Sequence, residues 1–209
     1  MAWQVMSWAL ILSIYSLLFV TTPHASTAIS EKKASSVAIA FAISATFVVY
    51  EIFLEHPRMT AVWQISPAVV WFAQKASFRW LLPRDGGVNT GHGTVIAVYF
   101  AAFLVAAPYH IYVALSQWGQ LYSLFMPILD AQDGTLPHIV HELLKWDMPI
   151  GSFAVLIATL WFARTKLELF YLLVNVIVGS VAVGPGGALA IVMIWREKEL
   201  ARKRSSKDM

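Results

Sequence analysis

The chain has 209 residues, of which 58% are hydrophobic and 13% are charged, whereas soluble domains typically carry about 25% charged residues. This composition predicts an integral membrane protein in which residues 1–209 form one membrane domain. The net charge of +3 comes from a basic tail over residues 196–209, which argues against a nucleic-acid groove. The chain has no cysteine, so disulfides, thiolate nucleophiles and Cys-ligated metals are excluded.

Six apolar runs follow one another, near the length at which a helix crosses a hydrocarbon core of about 30 Å. They cover residues 3–20, 36–53, 59–74, 94–115, 149–163 and 167–183. The first run precedes TTPHASTA, which resembles a small-residue cleavage site, but no Lys or Arg comes before it. We therefore expect a retained span. Strand-like alternation is absent, so the sequence predicts an all-α polytopic membrane protein with about six to seven transmembrane helices.

Between the fourth and fifth runs, polar and apolar residues mix over residues 119–147. His138, His141 and Glu142 recur there at helical spacing with apolar residues between them. This pattern predicts a short helix lying at the membrane interface. The same three side chains give only a weak metal-binding signal, and we expect no metal.

A break at residues 184–187, with the sequence GPGG, separates the sixth run from a further apolar stretch, Ala188 to Trp195. If the chain turns back there, thirteen Lys and Arg residues lie on one side of the membrane and two on the other. Cytoplasmic loops collect such residues, so this split predicts an endoplasmic-reticulum-type membrane with a cytosolic C-terminus. The short apolar stretch cannot cross alone at about 1.5 Å per residue. Three arrangements are therefore possible: the sixth span is also short, the stretch after the break is tilted, or it is re-entrant.

Acidic side chains in or beside membrane spans are costly to bury, so each is a candidate functional group. Glu51 lies in the last turn of the second run, and Asp147 comes two residues before Pro149 at an expected helix start. A Glu that reaches the head groups, or an Asp that caps a helix, explains these positions without catalysis. Glu168 is expected to lie in the first turn of the sixth helix, with its carboxylate in solvent. Asp147 and Glu51 are the candidate catalytic acids.

Five further residues are candidates for substrate binding. Trp63 and Trp71 are eight residues apart, near one helical face, with Gln64 beside them. Aromatic faces can stabilise a cation in a site that excludes water, although ordinary packing explains the spacing as well. His110 and Asn175 lie inside apolar runs, where polar groups commonly pair across helices. Structural hydrogen bonding and substrate binding are therefore both open for His110 and Asn175.

A family resemblance rests on three segments, AVWQISPAVVWFAQ, KWDMPIG and VGPGGALAIVMIWREKEL. In this order they resemble the small multi-span fungal terpene cyclases of the ascochlorin and ascofuranone type, which act on farnesylated aromatic precursors in meroterpenoid pathways. The resemblance extends from the third run to Arg196. Asp147 matches the Asp-x-Pro position, Trp63 and Gln64 match the third-run motif, and Arg196 belongs to the terminal Arg-Glu pair.

The resemblance implies a cyclase, without metal or cofactor, that protonates a terminal epoxide or alkene and closes the prenyl chain through carbocations. Such chemistry needs a carboxylic acid kept protonated, a dry aromatic-lined cavity and a weak base. The expected partners are a lipophilic prenylated substrate and the lipid bilayer. A sterol-type membrane isomerase is an alternative with the same acid and aromatic groups. A non-enzymatic multi-span membrane protein is the other alternative, and it would tolerate neutral replacements at both Asp147 and Glu51.

Overall fold

The computed structural model describes residues 14, 17, 18, 29–54, 68–81, 91–120 and 136–205. These residues are helical for the most part and contain no strand, which confirms the all-α prediction. In chain order the helices are α1 (Glu31–Leu54), α2 (68–76), α3 (His92–Ser116), α4 (Leu136–Thr159), α5 (Lys166–Val174) and α6 (Ser180–Ser205). π-helical turns follow α2 (Ser77–Leu81) and α5 (Asn175–Gly179), and 3₁₀ turns follow α3 (Trp118–Gln120) and α4 (Leu160–Phe162).

Two stretches of the described chain are long and apolar enough to cross a membrane, namely α3 and the helical stretch Lys166–Arg202. A shorter apolar helix covers Pro149–Phe162. Only 6% of the most apolar window of α3 is buried inside the protein, so α3 is not a core helix of the kind that soluble proteins bury. Its large side chains, such as Leu104 and Tyr112, are exposed, and such a surface is favourable in lipid and unfavourable in water.

The chain divides into two compact units, and the first comprises Ser26–Tyr99 with residues 197–209. In this unit α1 contacts the π-helical turn Ser77–Leu81. Ser36 and Ser77 are buried, and each hydroxyl donates to a carbonyl three residues earlier in its own helix. Lys32 Nζ lies 4.9 Å from the centre of the Phe78 ring. Ser36 and Ser77 are small, and their hydroxyl groups are hydrogen-bonded within their own helices. The backbones of α1 and the π-helical turn can therefore approach each other closely.

Gly91, immediately before α3, lies directly against the start of α1. Its N–H donates to the carbonyl of Ile29 at 3.2 Å. A Cβ atom added at Gly91 would lie 2.6 Å from the carbonyl oxygen of Ser30 and 2.8 Å from Cβ of Ala34. Thr94 Oγ1 also donates to Glu31 Oε1 at 2.6 Å. This junction therefore requires a residue without a side chain at position 91.

We expect Gly91→Ala to lower the free energy of unfolding by about 1–3 kcal/mol, because the added methyl group must displace backbone atoms. Gly93→Ala is the matched control, since a Cβ there meets nothing within 4 Å. Replacing Gly by Ala inside a helix raises the free energy of unfolding by about 0.5–1 kcal/mol. Thermal unfolding of both variants in detergent measures the difference, and equal midpoints would contradict the proposed junction.

The second unit comprises Met1–Ala25 and Phe100–Arg196, and its main feature is a reversal of the chain at Gly184. Gly184 has φ 79° and ψ 161°, which breaks the helix. Asn175 Nδ2 donates to the carbonyl of Ala188 at 3.1 Å, although thirteen residues of straight helix would span about 20 Å. The rings of Tyr171 and Trp195 have centroids 6.3 Å apart. The two halves of the Lys166–Arg202 stretch therefore form a helical hairpin.

The hairpin has a first arm of residues 166–183, a tip of residues 184–187 and a second arm that continues to Ser205. The predicted turning back at GPGG is thus confirmed. The second arm extends well beyond Trp195 and measures about 30 Å at 1.5 Å per residue. The expected short element from Ala188 to Trp195 is only the apolar part of this longer helix. The error arose because apolar composition ends at Arg196 while helix formation continues through Glu, Lys, Leu and Ala.

α4 packs against both arms of the hairpin. Leu156, Val176 and Ala188 are buried together, and Leu160 and Leu189 pack against them. The turn from α4 to α5 is short, so these two helices run antiparallel. Close packing of the two arms is possible because the residues between them are small. A Cβ atom at Gly179 would lie 3.3 Å from Cβ of Ala188.

The predicted start of a helix at Pro149 is wrong, and so is the separate interfacial helix before it. α4 runs without interruption from Leu136 through Pro149 to Thr159. Proline removes one backbone donor from a helix, but the preceding segment HELLKW is rich in strong helix formers. Asp147 consequently lies in the interior of α4 and is not its N-cap.

Candidate functional site

The hairpin tip is fixed by a hydrogen bond from α3. Pro185 has no N–H, so the carbonyl of Val181, four residues earlier, has no donor within its own helix. His110 Nε2 lies 3.1 Å from this carbonyl oxygen. A carbonyl only accepts hydrogen bonds, so Nε2 carries the hydrogen and donates it. His110 thus satisfies the backbone group that the break at Gly184 leaves without a helical partner.

Glycine is required at the tip for two reasons. Gly184 has a positive φ, a conformation that residues with a side chain rarely adopt. A Cβ atom at Gly184 would also lie 2.7 Å from Cγ of His110. Next to it, a Cβ atom at Gly186 would lie 3.2 Å from Cβ of Ala106. α3 therefore packs directly onto the backbone of the tip through His110 and small residues.

His110 and Asn175, both candidates for substrate binding, each make a hydrogen bond to the backbone of the hairpin. Asn175 lies in the π-helical turn of the first arm and donates to Ala188 on the second arm. The structural alternative is confirmed for both residues. Binding of substrate by His110 or Asn175 stays a prediction.

We expect His110→Phe to lower the free energy of unfolding by about 1–3 kcal/mol, because the carbonyl of Val181 loses its donor in an apolar setting. Phenylalanine keeps the ring but cannot donate a hydrogen bond. Tyr109→Phe is the matched control, since the Tyr109 side chain is 53% exposed. Chemical unfolding in detergent compares the two variants, and an equal loss in both would exclude a specific role for the His110 hydrogen bond.

Asp147 lies in the interior of α4, nine residues before Leu156, which packs against Val176 of the first arm. The Asp147 side chain is half-buried. One candidate acid thus belongs to the helix that packs against the hairpin.

The open end of the hairpin, opposite its tip, begins with a helix cap. Thr165 precedes α5, and its Oγ1 accepts from the N–H of Glu168 at 3.1 Å. Glu168 Oε2 accepts from the N–H of Arg164 at 2.7 Å. This reciprocal arrangement is of the capping-box kind, and it confirms the predicted helix-start role of Glu168. On the second arm, Arg196 Cζ lies 4.5 Å from the centre of the Phe162 ring.

A cavity of about 450 Å³, which we call the aromatic groove, lies at this open end. Its lining consists of Leu167, Glu168, Phe170, Tyr171, Val174 and Trp195. The spacing of one helical face on α5 relates Leu167, Phe170, Tyr171 and Val174. Trp195 comes from the second arm. This groove is not among the sites predicted from the sequence, because residues 167–183 were interpreted only as an apolar membrane span. The helical spacing was visible in the sequence, but the pairing with Trp195 depends on the hairpin.

The remaining candidates lie elsewhere or outside the described residues. Glu51 is in the last turn of α1, as predicted. Trp71 lies on α2 and is 60% exposed. Trp63 and Gln64 lie outside the described residues, so the predicted aromatic face of Trp63 and Trp71 stays a prediction. Among the side chains that the structure describes, no group of three or more His, Asp or Glu is arranged to hold a metal ion.

Comparison with known proteins gives one match, to the model of the CtvD domain, over residues 1–201. This chain belongs to the CtvD-domain family. The match covers almost all of the chain, so both compact units are part of the CtvD domain. The family name indicates fungal secondary-metabolite biosynthesis, which is compatible with a meroterpenoid cyclase. No curated protein and no solved structure matches the chain.

Proposed function

We propose that this CtvD-domain protein is a membrane-bound terpene cyclase of meroterpenoid biosynthesis, of the ascochlorin and ascofuranone type. Asp147 carries the proposal. It is a half-buried carboxyl group in the interior of α4, and acidic side chains within apolar helices are rare and commonly belong to functional sites. The family membership and the order of the three resembling segments support the same assignment.

In the proposed reaction, a carboxyl group donates its proton to the oxygen of a terminal epoxide on a prenyl chain. One C–O bond of the epoxide breaks, and its carbon becomes electron-deficient. The π electrons of the next double bond attack that carbon and form a new C–C bond. Positive charge moves along the chain as each ring closes, until a base removes a proton from carbon. The epoxide oxygen ends as a hydroxyl group, so the product is an isomer of the substrate. Asp147 is the first candidate for the proton donor, and Glu51 is the second.

The proposal includes six or seven membrane spans and one membrane domain with a cytosolic tail in the endoplasmic reticulum. The hairpin supports this topology, because it returns the chain at its tip and brings Arg196 near Phe162, close to Arg164 and Lys166. In the proposed topology, the basic residues at the outer ends of the two arms therefore lie on the same side of the membrane. Cytoplasmic segments characteristically carry such an excess of Lys and Arg.

A glycosylation tag tests this topology. We expect a tag appended after Met209 to remain unmodified in microsomes, since the tail lies on the cytosolic side in the proposed arrangement. A tag with spacers inserted after Gln120, between α3 and α4, should be glycosylated and serves as the positive control. Modification of the C-terminal tag would overturn the proposed orientation.

Turnover of a farnesylated phenol and of its terminal epoxide tests the enzyme directly. We expect microsomes with the wild-type chain to form an isomer of unchanged mass and shifted retention, measured by mass spectrometry. Asp147→Asn should lower the rate by at least about 100-fold, as expected for loss of a general acid. Glu51→Gln tests the second candidate in the same way.

Glu199→Gln is the control for these two variants. Glu199 Oε2 pairs with Arg202 Nη2 at 3.0 Å on the surface of α6, and such pairs contribute at most about 1 kcal/mol. This variant should retain full turnover at equal protein level. Turnover of sterols but not of prenylated phenols would favour a sterol-type isomerase. Full activity in both Asp147→Asn and Glu51→Gln would refute the proposed acids.

A further inference from the structure

Three helix ends of the first unit lie together. Gly91, which precedes α3, donates its N–H to the carbonyl of Ile29, which precedes α1. α1 also contacts the π-helical turn Ser77–Leu81 that follows α2, and Lys32 Nζ lies 4.9 Å from the centre of the Phe78 ring. The starts of α1 and α3 and the end of the α2 stretch therefore form one end of this unit.

This end lies at the depth of the lipid head groups. α3 is one of the two described stretches that are long and apolar enough to cross a membrane, and it begins at His92. A helix that crosses the hydrocarbon core has its ends in the head-group regions. Side chains beside the start of α3 are therefore within reach of lipid head groups.

Cations are concentrated at the same end. Lys33, Lys75 and Arg79 are exposed, and Lys32 lies against the Phe78 ring. Lys75 and Arg79 are four residues apart, on neighbouring turns of one helical stretch. Within the part of the chain that the structure describes, none of these four cations pairs with a carboxylate. Their charge is therefore available to an anion outside the protein.

The carboxylate in the first turn of α1 does not cancel this charge. Glu31 Oε1 accepts hydrogen bonds from Thr94 Oγ1 at 2.6 Å and from Ser35 Oγ at 3.3 Å. These bonds direct the carboxylate to the junction between α1 and α3. Four cations against one carboxylate leave a local excess of three positive charges.

Exposed aromatic side chains accompany the cations. Phe78 is 40% exposed and Trp80 is 69% exposed, and the two residues flank Arg79. Tryptophan is enriched where hydrocarbon meets head groups, because its ring is apolar and its N–H is polar. Aromatic and basic residues thus alternate on a surface where acyl chains and phosphate groups meet.

We propose that this end of the first unit binds the head groups of anionic phospholipids. We call it the basic end, and it consists of Lys32, Lys33, Lys75, Phe78, Arg79 and Trp80. Each Lys or Arg near a membrane surface is attracted by anionic lipid, whereas a zwitterionic head group also carries a cation and attracts it less. In the proposed topology the basic end faces the cytosolic leaflet, which is rich in anionic lipid. Such binding is independent of the reaction that the protein catalyses.

Spin-labelled lipids test this binding. We expect the full chain in phosphatidylcholine vesicles to prefer spin-labelled phosphatidylserine to spin-labelled phosphatidylcholine at least about threefold, measured by electron paramagnetic resonance. The double variant Lys75→Gln, Arg79→Gln should retain less than about half of this preference. Lys33→Gln, on another helix of the basic end, should lower the preference as well. Salt at about 1 M should abolish it, because it screens exposed charges.

The double variant Arg164→Gln, Lys166→Gln is the matched control. It also removes two exposed cations, but from the second unit, and it should keep most of the wild-type preference. All of these substitutions lie at surface positions, and equal thermal midpoints check that the variants are folded.

Fluorescence quenching tests the depth of the basic end. A phosphatidylcholine with a nitroxide on its head group should quench the emission that Trp80→Phe removes more strongly than the emission that Trp71→Phe removes. Trp71 is 60% exposed and lies about 13 Å earlier along the same helical stretch. Equal or stronger quenching of Trp71 would overturn the placement of the basic end at the head groups.

Three other results would overturn the inference. Equal association of both lipids with the wild type would exclude anionic lipid and leave the cations to an acidic protein partner. An equal loss of preference in the control double variant would show that the attraction follows net charge and not the basic end. A preference that persists in 1 M salt would exclude its electrostatic origin.

Discussion

The hydrogen bond from His110 to Val181 is the interaction on which the second unit depends. The segment from Lys166 to Arg202 is apolar and helix-forming, and without a break it would be one long helix. Pro185 removes a donor and Gly184 adopts a positive φ, which leaves a carbonyl without a helical partner. Where no water can replace that donor, an unsatisfied backbone carbonyl costs about 1–3 kcal/mol. The reversal is stable because α3 supplies the missing donor from His110 and approaches the tip through small residues.

The reversal determines what lies together at the two ends of the hairpin. At the tip it places the carbonyl of Val181 and the backbone of Gly184 against His110 of α3. At the open end it brings Trp195 opposite Tyr171 and creates the aromatic groove. The same geometry places Arg196 beside Phe162, near Arg164 and Lys166.

Features of this protein with a local physical cause could be predicted from the sequence, whereas features that depend on distant parts of the chain could not. The GPGG break was recognisable because glycine and proline act on their own backbone, and the distribution of Lys and Arg indicated that the chain turns back. The start of α4 was misplaced because proline was taken as a helix boundary, whereas the helix formers before it and the packing after it carry the helix through Pro149. The structural role of His110 and Asn175 was foreseen as one of two possibilities, because a polar group in an apolar run needs a partner, but the partner itself was not foreseen.

The sequence by itself determined that the protein is helical, that its surface is apolar enough for lipid, and that one helix breaks at Gly184. These properties follow from composition, propensity and charge, which each segment carries regardless of its neighbours. Only the tertiary structure decided that Val181 is the acceptor for His110, that Ala188 is the acceptor for Asn175, and that Trp195 closes a groove with Tyr171. These pairs are 13 to 71 residues apart in the chain. Which side chains meet across such separations depends on how helices pack, and no local pattern encodes that packing.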